Sequence, residues 1–301
     1  THNLAPLSGF PSIQQIQKTH SSTIIAHPDT HYVSFLFTDG DNLQWTLGLL
    51  QSDERWFGSS YRGNFDMGWG IPPSLVHAAP TVMKWYYDNA FIGPGRDDFV
   101  VGPSGSGYLY PSLYPEGELS LHVSELVDWM ELGDLSAIEI LDFDSFENIN
   151  LWDIYTTYNQ IDGLIYLEYG NHSAPKGSIV WSNGKPIVSP RIKLWNGLAN
   201  SDKNSIINTV NQMARDPSSP LGYSLVIVGV WGHSLEEIQE IINGFEPNTK
   251  VITPNDMIRL MNDNIPHDIN FSYDSNSTKD YLTVDELRSL LKEQFDYDFL
   301  R

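Results

Sequence analysis

Carboxylates gather at the ends of apolar runs in this chain of 301 residues. In FTDGDNLQW, residues 37 to 45, Asp39, Asp41 and Asn42 crowd three oxygen-bearing side chains just after a strand-like run. In EILDFDSF, Asp142 and Asp144 alternate and share one face of an extended backbone, and in LIYLEYGNH, Glu168 closes an apolar run. Paired carboxyls, one protonated and one ionised, hydrolyse glycosidic bonds from opposite sides of the anomeric carbon. Separations of about 5 to 5.5 Å give retention and about 6.5 to 9.5 Å inversion. Glu168 is the preferred general acid, because apolar and aromatic neighbours raise a carboxyl pKa. Asp39 or Asp41 is the preferred base or nucleophile, with Asp142 and Asp144 in reserve. The plainer reading stands beside this one: Gly40 permits a turn, Asp41 or Asn42 caps the next helix, and 38 acidic residues place some carboxyls at strand ends by chance.

A second signal is GPSGSGYLYPS, residues 102 to 112. In extended backbone Tyr108 and Tyr110 project to one face, with Leu109 turned the opposite way, and such a pair stacks on a sugar or bonds it through the hydroxyls. The glycines match neither a P-loop nor a dinucleotide fingerprint, so a nucleotide site is excluded. Trp69, Trp195, Trp231 and His233 fall at predicted strand ends as candidate sugar platforms, and Arg191 is placed to orient a carboxylate or hydroxyl. Each also has a structural reading, as core packing or an ordinary ion pair. His27 and His31 have an HxxxH spacing, but Pro28 disfavours helix at His27, so no zinc site is expected. In SNSTKDYLTVDEL, Lys279 occupies what would be a calcium-ligand position and the turn glycine is missing, so no calcium loop is expected. No metal and no cofactor enter the expected chemistry. Asn171, Asn270 and Asn276 begin glycosylation sequons, which matter only on a eukaryotic secretory route.

The elements that position these groups follow from periodicity. Strands are predicted at 32–38, 65–70, 98–102, 137–143, 163–168, 187–194, 223–231 and 250–252, and helices at 73–89, 123–131, 202–214, 235–243 and 255–262. Ser234 and Glu237 form a capping box at one helix start. Continuous apolar strands such as YSLVIVGVW, alternating with helices, imply a parallel sheet buried on both faces. The expected fold is α/β, a TIM-like β/α barrel, with an open doubly wound parallel sheet as the alternative. Three segments are expected: residues 1–31 as an N-terminal arm, 32–264 as the barrel domain, and 265–301 as a linker plus a C-terminal helix with its own capping box at Thr283 and Glu286.

Composition narrows the partners. With 17 basic against 38 acidic residues the formal charge is -21, which repels phosphate backbones and anionic membranes. Neither nucleic acid nor membrane is therefore an expected partner. The absence of cysteine removes disulfides, thiolate metal sites and cysteine nucleophiles. No apolar stretch approaches the roughly 20 residues of a membrane span. The chain begins at Thr1 without a basic-then-apolar leader, which reads as a mature or trimmed product.

The heptad Gly105-Ser106-Gly107-Tyr108-Leu109-Tyr110-Pro111 is the full signature of the GxGYxYP family of glycoside hydrolases, which this chain resembles. TDGDNLQW, FDMGWGIPPSL, WSNGKPIVSPRIKLW, GYSLVIVGVW and KVITPNDMIRLM follow that family's order, so the likeness runs from Tyr32 to Met261. The resemblance implies a β/α-barrel-like domain, usually preceded by a separate N-terminal domain of the same protein, that acts on carbohydrate outside the cytoplasm. It carries no catalytic role onto any particular residue. The expected function is hydrolysis of a glycosidic bond by carboxylate acid/base catalysis. The alternatives are a non-catalytic carbohydrate-binding module and a metal-dependent sugar deacetylase. The latter also needs a downstream histidine pair, whereas the histidines after His31 are scattered at 77, 122, 172, 233 and 267.

Overall fold

The computed structural model describes residues 8–9, 14–17, 24–38, 43–168, 176–268 and 272–273. Its strands are β1 (His31–Thr38), β2 (Met67–Ile71), β3 (Asp97–Val101), β4 (Ala137–Asp142), β5 (Gly163–Glu168), β6 (Ile179–Ser182), β7 (Lys185–Val188), β8 (Ile192–Leu194), β9 (Tyr223–Gly229), β10 (Thr249–Val251) and β11 (Ser272–Tyr273). They form one sheet in the order β11-β6-β7-β5-β4-β3-β2-β1-β9-β8, with β10 beside the first half of β1. Pairing is parallel except for the β6–β7 hairpin and β11 on β6. β1 and β9 are buried along their whole length because apolar side chains leave both faces into packed layers. The architecture is α/β, as expected, with the sheet curled into a half-barrel. Its terminal strands β8 and β11 do not pair with each other among the described residues.

Among the described residues eight α-helices with full bounds accompany the strands: α1 (Leu43–Thr46), α2 (Leu75–Ala78), α3 (Pro80–Asp88), α4 (Glu116–Gly133), α5 (Ile149–Thr156), α6 (Lys203–Gln212), α7 (Leu235–Asn243) and α8 (Pro254–Asn264). One predicted helix, 73–89, is two. Ala79 precedes Pro80 and takes φ -157°, ψ 66°, because the proline ring crowds a helical predecessor. The predicted strand 187–194 is also divided: β7 ends at Val188 and Ile192 begins β8, in a different part of the sheet. β6 and α5 were not predicted. The Ser234 cap forms, its Oγ accepting from the Glu237 amide at 3.3 Å. Thr283, Glu286, the predicted C-terminal helix, Lys279 and the three sequons lie outside the described residues.

The two faces of the sheet have separate jobs. The outer face carries Phe35, Phe37, Phe99, Ile138, Ile140 and Tyr166 into a layer shared with Leu126 and Met130 of α4. The inner face carries Leu36, Ile165, Leu167 and Ile227 toward Met257, Ile258, Leu260 and Met261 of α8. This helix crosses the beginnings of the strands. A Cβ on Gly163, the first residue of β5, would meet Ile258 at 2.9 Å, and the Tyr223 hydroxyl at the start of β9 donates to the Leu260 carbonyl at 3.3 Å. α8 thus fills the half-barrel at the beginnings of its strands.

Gln17, ahead of β1 in the sequence, is part of the sheet's support. β3 and β4 share a single register pair, Val101 with Ile138, so the start of β3 lacks a ladder partner on that side. Gln17 supplies one: its Oε1 accepts from the Phe99 amide at 2.9 Å, and its Nε2 donates to the Phe99 carbonyl at 3.2 Å and the Asp134 carbonyl at 2.8 Å. Gln17→Ala is expected to lower unfolding stability by about 1–3 kcal/mol, because it orphans buried backbone groups. Urea denaturation measures this, and an unchanged midpoint would show that Phe99 is satisfied without the arm.

His31 is buried, with Nδ1 against the Ala214 carbonyl at 2.8 Å and Nε2 against Ser224 Oγ at 2.9 Å. Both ring nitrogens are occupied, so the HxxxH spacing offers no ligand pair. Burial lowers its pKa from 6.5 to about 4. The unfolded chain therefore binds this proton at higher pH than the folded one. The contribution to stability is complete above pH 6.5 and is lost as pH falls toward 4, by about 3 kcal/mol. Melting temperatures at pH 7 and 4.5 should show a steeper fall for the native chain than for His31→Asn; equal slopes would assign the acid sensitivity elsewhere.

Candidate active site

A cavity of about 150 Å³ opens at the C-terminal ends of the strands. Its wall is built from Thr38 of β1, Pro103 after β3, Glu139 and Leu141 of β4, Leu167 and Glu168 of β5, Lys193 of β8, Trp195 just beyond it, Ile227 of β9, and Tyr108. Register explains most of this set. Leu141 lies beside Leu167, and Lys193 beside Ile227, so neighbouring strands turn alternate residues to the same inner face. A few polar groups among apolar and aromatic walls is the composition of a ligand pocket. Its volume is close to that of engineered cavities that take one six-membered ring, about 150 Å³.

Two carboxylates line the cavity. Glu139 is fully buried in the middle of β4, and the Thr38 hydroxyl donates to its Oε1. Glu168 ends β5, where its Oε2 accepts from the Tyr166 hydroxyl at 2.8 Å and its Oε1 from the Asp144 amide at 3.0 Å. Tyr166 accepts in turn from the Ser145 amide, and burial raises the pKa of its phenol, so it remains a donor. These contacts fix the plane of the Glu168 carboxylate. The ammonium of Lys193 reaches the Glu168 carbonyl at 3.4 Å. Burial lowers its pKa to about 8, against the opposing pull of the Glu168 charge.

The tyrosine-bearing loop is seated on β4. Ser104 adopts φ +59°, donates its amide to the Glu139 carbonyl at 2.6 Å and accepts the Leu141 amide on its hydroxyl at 3.1 Å, continuing the sheet where β3 has ended. Gly105 follows at φ +117°. A Cβ there would sit 2.7 Å from His122 Nε2 and 2.9 Å from Leu126 Cδ2, so only glycine fits. Leu109 then packs on the core, Tyr108 turns to the cavity, and Tyr110 meets the edge of Phe143 at 5.3 Å between ring centres. The loop's far end is held by Asp142, whose carboxylate accepts from the Ser112 amide at 2.9 Å, Ser112 Oγ at 2.6 Å, the Phe143 amide at 3.0 Å and Ser145 Oγ at 2.8 Å.

The candidates read from sequence therefore separate. Glu168, Tyr108 and Trp195 meet in the cavity. Asp142 and Asp144 act around it, one as the loop's anchor and the other through its amide on Glu168. Trp69 is core, with its indole N–H on Asp97 Oδ1 at 2.8 Å and no face left for a ligand. Arg191 lies at the opposite end of the sheet, buried and donating to the Tyr223 and Pro220 carbonyls, each at 3.0 Å; burial lowers its pKa to about 10. His233 is buried against Glu237 Oε2 at 2.8 Å, and Trp231 is exposed in the loop just after β9. Asp39, Asp41 and Asn42 lie outside the described residues. Glu139 and Lys193 were missed in the sequence, although each is a charge on the inward face of an apolar strand, AIEIL and RIKLW. That burial is uncommon unless the charge has a partner or a task.

Fold and site together define an α/β half-barrel with a carboxylate-bearing pocket at the strand ends where such folds place their ligands. The chain belongs to the family described as "GxGYxYP putative glycoside hydrolase C-terminal domain", whose model matches residues 29–262. Among solved structures it is similar to a putative hydrolase from Bacteroides thetaiotaomicron, with 31% identity and a TM-score of 0.81 over 89% of this chain. The match covers 52% of that protein, so the chain spans about half its length. More distant likenesses are to a 4-alpha-glucanotransferase from Thermococcus litoralis (13% identity, TM-score 0.46, 76% of this chain and 40% of that one) and to the peptidoglycan deacetylase PdaC from Bacillus subtilis (12%, 0.40, 78% and 93%). Comparison with curated proteins gives no match. Among the described residues no helix is long and apolar enough to cross a membrane, and no three His, Cys, Asp or Glu side chains group to hold a metal ion.

Proposed function

We propose that this domain hydrolyses a glycosidic bond in a neutral glycan within the Glu139–Glu168 cavity. The carrying observation is that two glutamates and two aromatic side chains, Tyr108 and Trp195, line one cavity of ring size. Tyr108 and Trp195 supply the apolar surfaces on which a sugar ring rests. One carboxyl gives its proton to the departing oxygen while the other, ionised, attacks the anomeric carbon or activates water. Glu168 is the proposed proton donor and Glu139 its partner, with Asp39, the residue after Thr38, as the alternative base. Lys193, in the same wall, lies beside the carboxyl pair and can donate to a sugar hydroxyl. Hydrolysis of this kind uses no cofactor. An extracytoplasmic location is part of the proposal, tested by fractionating the native host.

The test is incubation of the protein with a panel of neutral polysaccharides and aryl glycosides, followed by measurement of new reducing ends. Release from at least one glycan is expected. Binding without product after long incubation of the complete protein would replace hydrolysis with a non-catalytic carbohydrate-binding role.

A further inference from the structure

Two tryptophans stand at the ends of the adjacent strands β8 and β9, and the backbone around each is shaped to seat it. Trp195 lies against the end of β9, where a Cβ on Gly229 would come within 2.9 Å of its ring. The next residue, Asn196, donates Nδ2 to the Trp231 carbonyl at 2.8 Å, which ties the loop after β8 to the loop after β9. That contact needs Gly232, since a Cβ there would stand 2.0 Å from Asn196 Nδ2 and the backbone has φ +124°. Trp231 is 63% exposed, an unusual state for so large an apolar side chain. Its ring packs at a steep angle on buried Trp45, 4.7 Å between centres, and Trp45 packs likewise on Trp56 at 4.6 Å. An exposed indole held this firmly loses little freedom when a ligand covers it.

We propose that Trp231 is a distal sugar subsite, so that the substrate is a neutral glycan chain of at least three units running from the cavity past Trp195 onto the Trp231 ring. This rests on the reading of the cavity as a glycan site and extends it from one bond to a substrate class. The cavity holds about one ring, Trp195 belongs to its wall, and Asn196 joins that wall directly to Trp231. The loop that carries Trp231 is thereby fastened to the cavity wall on its Trp195 side. An aromatic face suits the apolar C–H face of a sugar, and the net negative charge of the protein disfavours an acidic chain.

The test is calorimetry with gluco-, xylo-, manno- and galacto-oligosaccharides of one to six units, using the Glu168→Gln protein so that ligand is not consumed. Trp231→Ala and Trp231→Phe are compared in the same background, with circular dichroism confirming the fold. Affinity is expected to rise with chain length. Trp231→Ala should weaken the longer oligosaccharides by about tenfold and leave the single sugar unchanged, and Trp231→Phe should recover most of the loss. Equal affinity of Trp231→Ala for the longer chains, or equal weakening at every length, overturns the subsite and leaves the cavity reading standing. Failure of every sugar to bind the parent overturns both.

Discussion

Replacing Glu168 with glutamine should lower hydrolysis of an unactivated glycan by about 10²- to 10⁴-fold, the contribution typical of a positioned general acid. The change keeps the shape of the side chain and removes its proton. One contact with Tyr166 or Asp144 then faces an amide N–H, which costs about 1–2 kcal/mol of stability and leaves the fold intact. The proton matters most when the leaving oxygen is strongly basic. Aryl glycosides with acidic leaving groups should therefore lose much less activity in Glu168→Gln, whereas Glu139→Gln should slow both substrate types. Parallel loss on both types by Glu168→Gln would make it the base or nucleophile instead. Unchanged turnover on a verified glycan would remove Glu168 from the chemistry.

Asp142→Ala should destabilise the protein by about 3–5 kcal/mol, the range for breaking a buried charged network. Four donors end on this fully buried carboxylate: the Ser112 amide and hydroxyl, the Phe143 amide and the Ser145 hydroxyl. None of them gains an acceptor from alanine. At about 2–4 °C per kcal/mol for a domain of this size, the melting temperature should drop by roughly 10 °C. Release of Ser112 also frees the Tyr108 loop, so KM should rise more than kcat falls. A loss of kcat with an unchanged melting temperature would return Asp142 to the catalytic set.

Much of the fold was legible because parallel strands buried on both faces must be continuous apolar runs. β5 and α7 lie where periodicity put them, at Gly163–Glu168 and Leu235–Asn243. Periodicity predicts a single strand at 187–194, whereas the chain ends the β6–β7 hairpin at Val188 and begins β8 at Ile192. Asn183 and Gly184, at φ +50° and +72°, make the tight turn that an Asn-Gly pair announces, which pairs β6 with the start of the apolar run at 187–194. α5 has no strong periodicity and is set by its Asn148 cap and its packing. At the site, residue type without facing proved insufficient. Asp142 carries the right group at a strand end, but four donors converge on it from within its own chain. Glu139 sits in mid-strand, where only the inner surface of a curled sheet makes a carboxylate useful. The motif glycine shows the reverse, because a family signature fixed the identity of Gly105 and only the approach of His122 gives the physical reason.

Where a glycan sits decides whether the Glu139–Glu168 cavity is the active site. A crystal structure of the Glu168→Gln protein with an oligosaccharide that the native protein cleaves answers this most directly. A sugar ring should occupy the cavity between Tyr108 and Trp195, with the glycosidic oxygen about 3 Å from the residue 168 side chain. A glycan bound elsewhere on the protein, with the Glu139–Glu168 cavity holding only solvent, would contradict it.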